Sequence, residues 1–191
     1  MFQLQRCRNG QSNRDGFRYR MHFFFRVLFK FSAYLLAGTL LLCTVAVAAP
    51  PYELSGEVRI TNISDGDSLR SGNLRIRIFG IDAPELKQQC GEKNGISWKC
   101  GLAARRQLES LIGANKTLHC ELRDVDHYGR LVMQCFHGNV DIGAEMVRSG
   151  YAFAYRSFSK IYEDAESQAK AAHQGIWRGS FTLPWKWRRQ N

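Results

Sequence analysis

Four carboxylates stand at two places in the chain where short β-like runs end: Asp65-Gly66-Asp67 and Asp82-Ala83-Pro84-Glu85. Carboxylates gathered at strand ends supply the oxygen ligands that a hard cation such as calcium or magnesium takes. Between them runs Leu74-Arg75-Ile76-Arg77-Ile78-Phe79-Gly80-Ile81, where period-two alternation turns Arg77 away from Leu74, Ile76 and Ile78. Further on, Asp126-His127-Tyr128-Gly129-Arg130 sets a second arginine at a turn. A guanidinium fork matches a phosphate through two parallel hydrogen bonds and can stabilise charge that develops in a transition state. Phosphodiester cleavage needs these parts, because a cation on the phosphate offsets the charge that builds as water attacks. Taken singly, Asp65-Gly66 reads as an ordinary hairpin turn and Asp82-Ala83-Pro84 as an ordinary strand exit. Their occurrence together with Arg77 and Arg130 is what points to chemistry.

The elements that must position these groups can be read from pattern. Residues 54–63, 67–70, 73–81, 116–124 and 129–136 are β-rich or alternating and are separated by Asp-Gly, Ser-Gly and Tyr-Gly signals, which predicts five strands. Residues 98–113 place Leu102, Leu108, Leu111 and Ile112 at helical intervals before Gly113, predicting a first helix. Residues 140–149 and 159–174 predict two more, stopped by Gly150 and Gly175. Strands first and helices afterwards indicate an α+β domain. The tail Trp185-Lys186-Trp187-Arg188-Arg189 is aromatic and basic, suited to touching nucleic acid or to packing and fraying.

Compartment is read from the N-terminus and the cysteines. From Phe23 to Ala49 only Arg26 and Lys30 are charged, after a basic stretch, and Ala46-Val47-Ala48 offers small residues for cleavage. Residues 1–48 are therefore expected to be a signal peptide, or alternatively an uncleaved membrane anchor, with a possible true start at Met21; residues 49–191 form the domain. The formal charge is +10, from 27 Lys and Arg against 17 Asp and Glu. The first 48 residues hold seven of the basic residues and one acid, leaving 20 against 16, or +4, which suits a polyanionic partner without requiring one. Cys90, Cys100, Cys120 and Cys135 remain, an even number in an exported chain, so two disulfides are expected. Cys120 and Cys135 would face each other across a hairpin turning at His127-Tyr128, which favours Cys120–Cys135 with Cys90–Cys100. The spacings lack the short cysteine pairs of a zinc site.

The order Asp-Gly-Asp, then Arg with Asp-Ala-Pro-Glu, then Asp-His-Tyr-Gly-Arg resembles the staphylococcal nuclease family. The likeness runs from about Gly56 to Trp177, where Glu166-Ser167-Gln168-Ala169-Lys170 and Gly175-Ile176-Trp177 resemble the family's last helix and its exit. The resemblance implies a five-stranded OB-type barrel with three helices, and one calcium ion held by Asp67, Asp82 and the carbonyl of Ala83. It implies that Glu85 orients the attacking water, with true basicity a further hypothesis because a carboxylate of pKa ~4.3 is a weak base at neutral pH. Arg77 and Arg130 would grip the phosphate, DNA and RNA would be the substrates of a monomeric enzyme, and products would end in a 3′-phosphate. Asp65 would steady the turn that presents Asp67, while Tyr128 and Tyr155 would wall the nucleotide.

Two features depart from the family pattern. Ala83 stands where some members carry threonine, and the Cys90–Cys100 segment is expected as a disulfide-closed loop beside the active site. The competing class is a non-catalytic nucleic-acid-binding OB module at the cell envelope, which would lose some of Asp67, Arg77, Asp82, Glu85 and Arg130; all five are present.

Overall fold

The computed structural model describes residues 54–191 other than Lys93, so the expected signal or anchor segment 1–48 lies outside the described residues. Strand β1 (Ser55–Arg59) and strand β2 (Asn62–Ile63) are two halves of the run predicted as one strand. They are followed by β3 (Ser68–Ser71), β4 (Leu74–Ile78), β8 (Thr117–Val125) and β9 (Leu131–His137), with β5 (Ile81–Asp82), β6 (Cys90–Glu92) and β7 (Ser97–Trp98) between β4 and β8. The main sheet runs β1-β8-β9-β4-β3-β2. Its two ends are thus consecutive pieces of one chain segment, divided only by Ile60-Thr61. Across that break the Ile60 amide still donates to Lys116 and the Thr61 amide to Arg70, at 2.7 and 2.8 Å. The bent first strand therefore serves both edges and curls the sheet toward closure, an arrangement consistent with an OB-type barrel. Period-two alternation buries Leu69, Ile76, Ile78 and Leu118 on the inner face.

Among the described residues four α-helices are present where three were expected. Helix α1 (Cys100–Ile112) lays Ala104, Leu108 and Ile112 into the barrel core. Helix α2 (Ile142–Arg148) follows the short strand β10 (Val140–Asp141) and is capped by Asp141, whose carboxylate accepts from the Ala144 amide. Helix α3 (Glu163–Ala171) starts four residues later than predicted, because residues 155–159 form a turn in which Tyr155 O accepts from the amides of Phe158 and Ser159. The additional helix is α4 (Pro184–Gln190), in the tail. Seven residues carry too few turns for a readable apolar period, and the start is set instead by Pro184 in the first turn, where a missing N–H costs nothing. No helix of the described residues is long and apolar enough to cross a membrane.

The predicted strand 73–81 is interrupted at Phe79-Gly80, where Gly80 takes a positive φ of 73°. Strand β5 then leaves the main sheet and pairs with β11 (Phe153–Ala154), Asp82 opposite Phe153. Both disulfides join the expected partners, Cys90 to Cys100 and Cys120 to Cys135. Cys120 and Cys135 are directly opposed in the β8–β9 ladder, as the hairpin required. The Cys90–Cys100 segment forms a small sheet with β12 (Gly179–Ser180) in the order β12-β6-β7, beside a second core of Phe153, Ile176 and partly buried Trp98, Trp177, Phe181 and Trp185.

Candidate active site

The Asp65-Gly66-Asp67 turn between β2 and β3 is tied by the Asp67 amide donating to Asp65 Oδ1 at 3.0 Å. Gly66 is needed there by close packing: a Cβ would stand 2.7 Å from the Ala83 Cβ and 2.8 Å from the Ala104 Cβ. The turn therefore presses directly on the Asp82-Ala83 strand exit. Asp67 reaches across, its Oδ2 accepting from the Ala83 amide at 2.9 Å and its Oδ1 from Ser68 Oγ at 2.8 Å. Asp67 is 4% exposed and Asp82 is fully buried.

Arg77 joins the two carboxylates. It rises from β4 between them, with Nη1 donating to Asp67 Oδ1 at 2.9 Å and Nη2 to Asp82 Oδ1 at 2.7 Å. A third bond goes from Nη2 to the Ile81 carbonyl at 3.3 Å. Burial pulls the Arg77 pKa down, but Asp67 and Asp82 together more than reverse this and hold it above the usual arginine value. For Asp82 burial dominates and raises the pKa, with the Arg188 hydrogen bond opposing it. Asp65 is pushed up to about 7, first by burial and next by the negative charge of Asp67.

Arg130 arrives by a different route. Strands β4 and β9 pair in parallel, with Arg77 opposite Val132, so the residue just before β9 lies close to the Arg77 strand. Arg75 of β4 donates to the Tyr128 carbonyl, which fixes the Asp126–Arg130 turn against that strand. Asp126 then shapes the turn: Oδ1 accepts from the amides of Tyr128 and Arg130, and Oδ2 from Arg130 Nε at 2.6 Å. With Nε so engaged, the terminal amino groups of Arg130 have no hydrogen-bond partner among the described residues. The Arg130 guanidinium lies 5.4 Å from the centre of the Tyr128 ring.

These groups share one cleft of about 430 Å³, lined by Asp65, Asp67, Arg77, Glu85, Tyr128, Arg130 and Tyr155 together with Phe158 and Arg188. Asp82 and Ala83 do not line it; they lie buried beneath it, bonded to Arg77 and Asp67. No described residue of 90–100 lines the cleft, so the described part of the disulfide-closed loop expected at its edge stands back from it. Sequence reasoning missed three contributors. Ser68 steadies Asp67. Gln88, fully buried, accepts the Glu85 amide at 3.2 Å and donates to the Thr182 carbonyl at 2.6 Å, linking the glutamate's loop to the C-terminal segment. Arg188 of α4 donates to both Asp82 oxygens at 3.0 Å and to Glu85 Oε1 at 2.7 Å. The basic aromatic tail was the signal for Arg188, but nothing in its spacing says where it docks.

The donor chemistry suits a hard divalent cation. Among the described residues Asp67, Asp82 and Glu85 pair only with Arg77 and Arg188, and Asp65 beside them has no ion-pair partner, because Arg130 is paired with Asp126. That leaves two negative charges uncompensated when all four acids are ionised, and the negative charge of Asp67 adds to burial in raising the Asp65 pKa. Among the described residues no three His, Cys, Asp or Glu side chains gather around one point; a cation here would rest on Asp67, Asp82 and the Ala83 carbonyl, with water completing the shell.

Fold and site together define an α+β domain with a curled sheet and a cleft of carboxylates and arginines suited to a phosphate and a hard cation. Residues 75–179 match the staphylococcal nuclease homologue family, and the chain belongs to that family. It is similar to a succinoglycan biosynthesis protein, ExoI, of Rhizobium meliloti, 31% identical over 119 residues covering 61% of this chain and 62% of that one. It is 36% identical over 134 residues to the probable staphylococcal-like nuclease CAN3 of Oryza sativa subsp. japonica, covering 69% of this chain and 32% of the rice protein. An uncharacterized endonuclease of Haemophilus influenzae is 32% identical over 164 residues, covering 82% of this chain and 85% of the relative. The chain thus spans less than two thirds of the length of the first two relatives, and most of the third.

Proposed function

We propose that this chain is an exported, calcium-dependent nuclease that hydrolyses phosphodiester bonds of DNA and RNA by attack of water and leaves 3′-phosphate ends. The observation that carries the reading is the convergence of Asp67, Glu85, Arg77 and Arg130 on one cleft, with buried Asp82 bonded to Arg77 beside Asp67, in a member of the staphylococcal nuclease homologue family. A calcium ion on Asp67, Asp82 and the Ala83 carbonyl would supply positive charge to a non-bridging phosphate oxygen. Glu85 lies at the rim, where its carboxylate positions the attacking water and can take its proton. Arg77 uses three hydrogen bonds on the buried floor, which fixes its plane before substrate arrives and leaves further N–H groups for a phosphate oxygen. Arg130, anchored through Nε, presents its terminal amino groups to the charge that builds on the phosphate. Exposed Tyr128, with Tyr155 and Phe158 stacked 5.2 Å apart, offers ring faces to the bases. A clamp of this kind reads backbone phosphate, so both DNA and RNA are substrates in this proposal.

The two disulfides support an oxidising compartment, periplasmic or extracellular, reached through residues 1–48 as a cleaved signal or as an anchor. The test is release of acid-soluble nucleotides from denatured DNA and from RNA by residues 49–191 folded under oxidising conditions. Calcium should support turnover, and chelator, Glu85→Gln and Arg130→Ala should each suppress it. A folded wild-type protein that binds DNA but releases nothing would instead make this a binding module.

A further inference from the structure

Every carboxylate proposed to meet the cation or the water is also held by a guanidinium, and one of these comes from the far end of the chain. Arg188 offers Nη1 and Nη2 to Asp82 Oδ1 and Oδ2, both at 3.0 Å, and Nη1 also reaches Glu85 Oε1 at 2.7 Å. Asp82 Oδ1 additionally accepts from Arg77. Both oxygens of Asp82 are therefore engaged, Oδ1 by two donors and Oδ2 by one, so Arg188 occupies the face of the carboxylate on which a cation would have to compete. Arg77 and Arg188 differ in how they are held. The Arg77 side chain is 15% exposed and sits in a strand, whereas that of Arg188 is 39% exposed and sits in a seven-residue helix. A helix of that length has little stability of its own. Its start is anchored by buried Pro184 and by Trp185 against Phe153, at 6.1 Å between ring centres, while Arg188, Arg189 and Gln190 are exposed. The Arg188 fork is the principal tie of the last turn.

We propose that α4 is a latch on the cation site: Arg188 holds Asp82 and Glu85 in the closed arrangement, and calcium displaces it. The proposal rests on the reading of Asp82 as a cation ligand. Because binding linkage is reciprocal, whatever calcium does to the latch the latch must do to calcium. A docked Arg188 lowers calcium affinity, and bound calcium loosens α4. Release exposes no core, since the guanidinium already borders solvent and the Trp185 anchor can remain. Freed from Asp82, Arg188 also ceases to restrain Glu85, so one event would complete the ligand set and free the water-positioning carboxylate.

The full chain, expressed through an oxidising compartment, is titrated with calcium by calorimetry as wild type, Arg188→Ala, Arg188→Gln and Lys186→Ala. The last removes an equal charge from the exposed side of the same helix. Hydrogen exchange of the Arg189 and Gln190 amides, in the last turn of α4, is followed with and without calcium. Both Arg188 variants should bind calcium about tenfold more tightly than wild type, Lys186→Ala should change affinity less than about twofold, and calcium should speed exchange at α4 in the wild type. Equal or weaker calcium binding by both Arg188 variants, with α4 exchange unmoved by calcium, would overturn the latch and leave the calcium site standing. Absence of calcium binding by every form would overturn the calcium site and the latch with it; binding by the Arg188 variants alone would be the latch in its strongest form.

Discussion

Arg188 and Asp82, 106 residues apart in sequence, meet fork to fork with two bonds of 3.0 Å, and Asp82 is at the same time held from below by Arg77 at 2.7 Å. One fully buried carboxylate is thus shared by a strand arginine and a helix arginine whose removal should have different consequences.

Arg77→Ala is expected to cost about 3 kcal/mol of unfolding free energy, because Asp67 loses its guanidinium and Asp82 loses one of two while both stay buried. Arg188→Ala should cost no more than about 1 kcal/mol, since the Arg188 side of the pair borders solvent and buried Asp82 keeps Arg77. Urea unfolding of the two variants under chelator checks the contrast. Equal losses would mean that the floor of the cleft does not depend on Arg77.

Arg130→Ala should behave in the opposite manner to Arg77→Ala. Its partner Asp126 sits in a surface turn, so stability should shift by less than about 1 kcal/mol, while kcat falls roughly 10² to 10³-fold if its terminal amino groups meet the transition state. Arg130→Lys should recover little, because a lysine cannot bond Asp126 through an Nε and still present a planar fork. Single-turnover rates on a short oligonucleotide separate this from a loss of binding.

Much of this arrangement was legible from local chemistry. The Asp-Gly-Asp turn, the alternating strand bearing Arg77 and the Asp-His-Tyr-Gly-Arg turn are each specified within a few residues, and the hairpin equidistance of Cys120 and Cys135 gave their pairing. The bend that lets one strand serve both sheet edges was not legible, because Ile60-Thr61 continues a β-rich run and the break is imposed by two different partners, β8 and β3. Gly80 interrupts the strand expected over 73–81 at a positive φ that a single glycine does not announce. Where Gln88 and Arg188 dock was not legible for a common reason: their roles come from contacts about a hundred residues away, at Thr182 and Asp82, and a seven-residue helix carries no period by which its docking face could be read.

The Cys120–Cys135 bridge closes a loop with a sequence separation of 15 inside the barrel. Replacing both cysteines by alanine should lower stability by about 3 kcal/mol, from the larger freedom of the unfolded chain. Since neither residue lines the cleft, kcat at a temperature well below unfolding should be unchanged. Urea midpoints with and without a reductant provide the check, and a large loss of kcat with stability intact would contradict the assignment of this bridge to the barrel alone.

Gly101→Ala tests how Glu85 is placed. In most exposed helix positions this change gains up to about 1 kcal/mol, but a Cβ on Gly101 would stand 1.7 Å from the Glu85 carbonyl oxygen. The first turn of α1 and the Glu85 loop cannot both keep their positions, so the sign should reverse to a loss of about 1 to 3 kcal/mol. A displacement of about 1 Å at a reacting group can cost on the order of 10²-fold in rate; kcat should therefore fall while calcium affinity, which the proposal assigns to Asp67 and Asp82, changes little. A stabilised, fully active variant would show that Glu85 is not positioned by this contact.

The pH dependence of the Arg130 turn follows from Asp126. Burial alone would raise its pKa, but the Arg130 amide, the Arg130 side chain and the Tyr128 amide more than offset this and hold the carboxyl below the ordinary carboxylate range. A carboxyl whose pKa is lowered by folding stabilises the folded state above its unfolded pKa of ~3.9, and that contribution disappears as pH falls through the lower folded value. The stability difference between wild type and Asp126→Asn should therefore be constant from neutral pH to about pH 5 and shrink below about pH 4. The same substitution keeps an oxygen for the Tyr128 and Arg130 amides but loses the charged partner of Nε, so at neutral pH it should lower kcat less than Arg130→Ala does. Carboxyl chemical shifts followed through an acid titration give the midpoint directly. A midpoint at or above the ordinary aspartate value would mean that Asp126 does not hold Arg130 in the way the turn geometry requires.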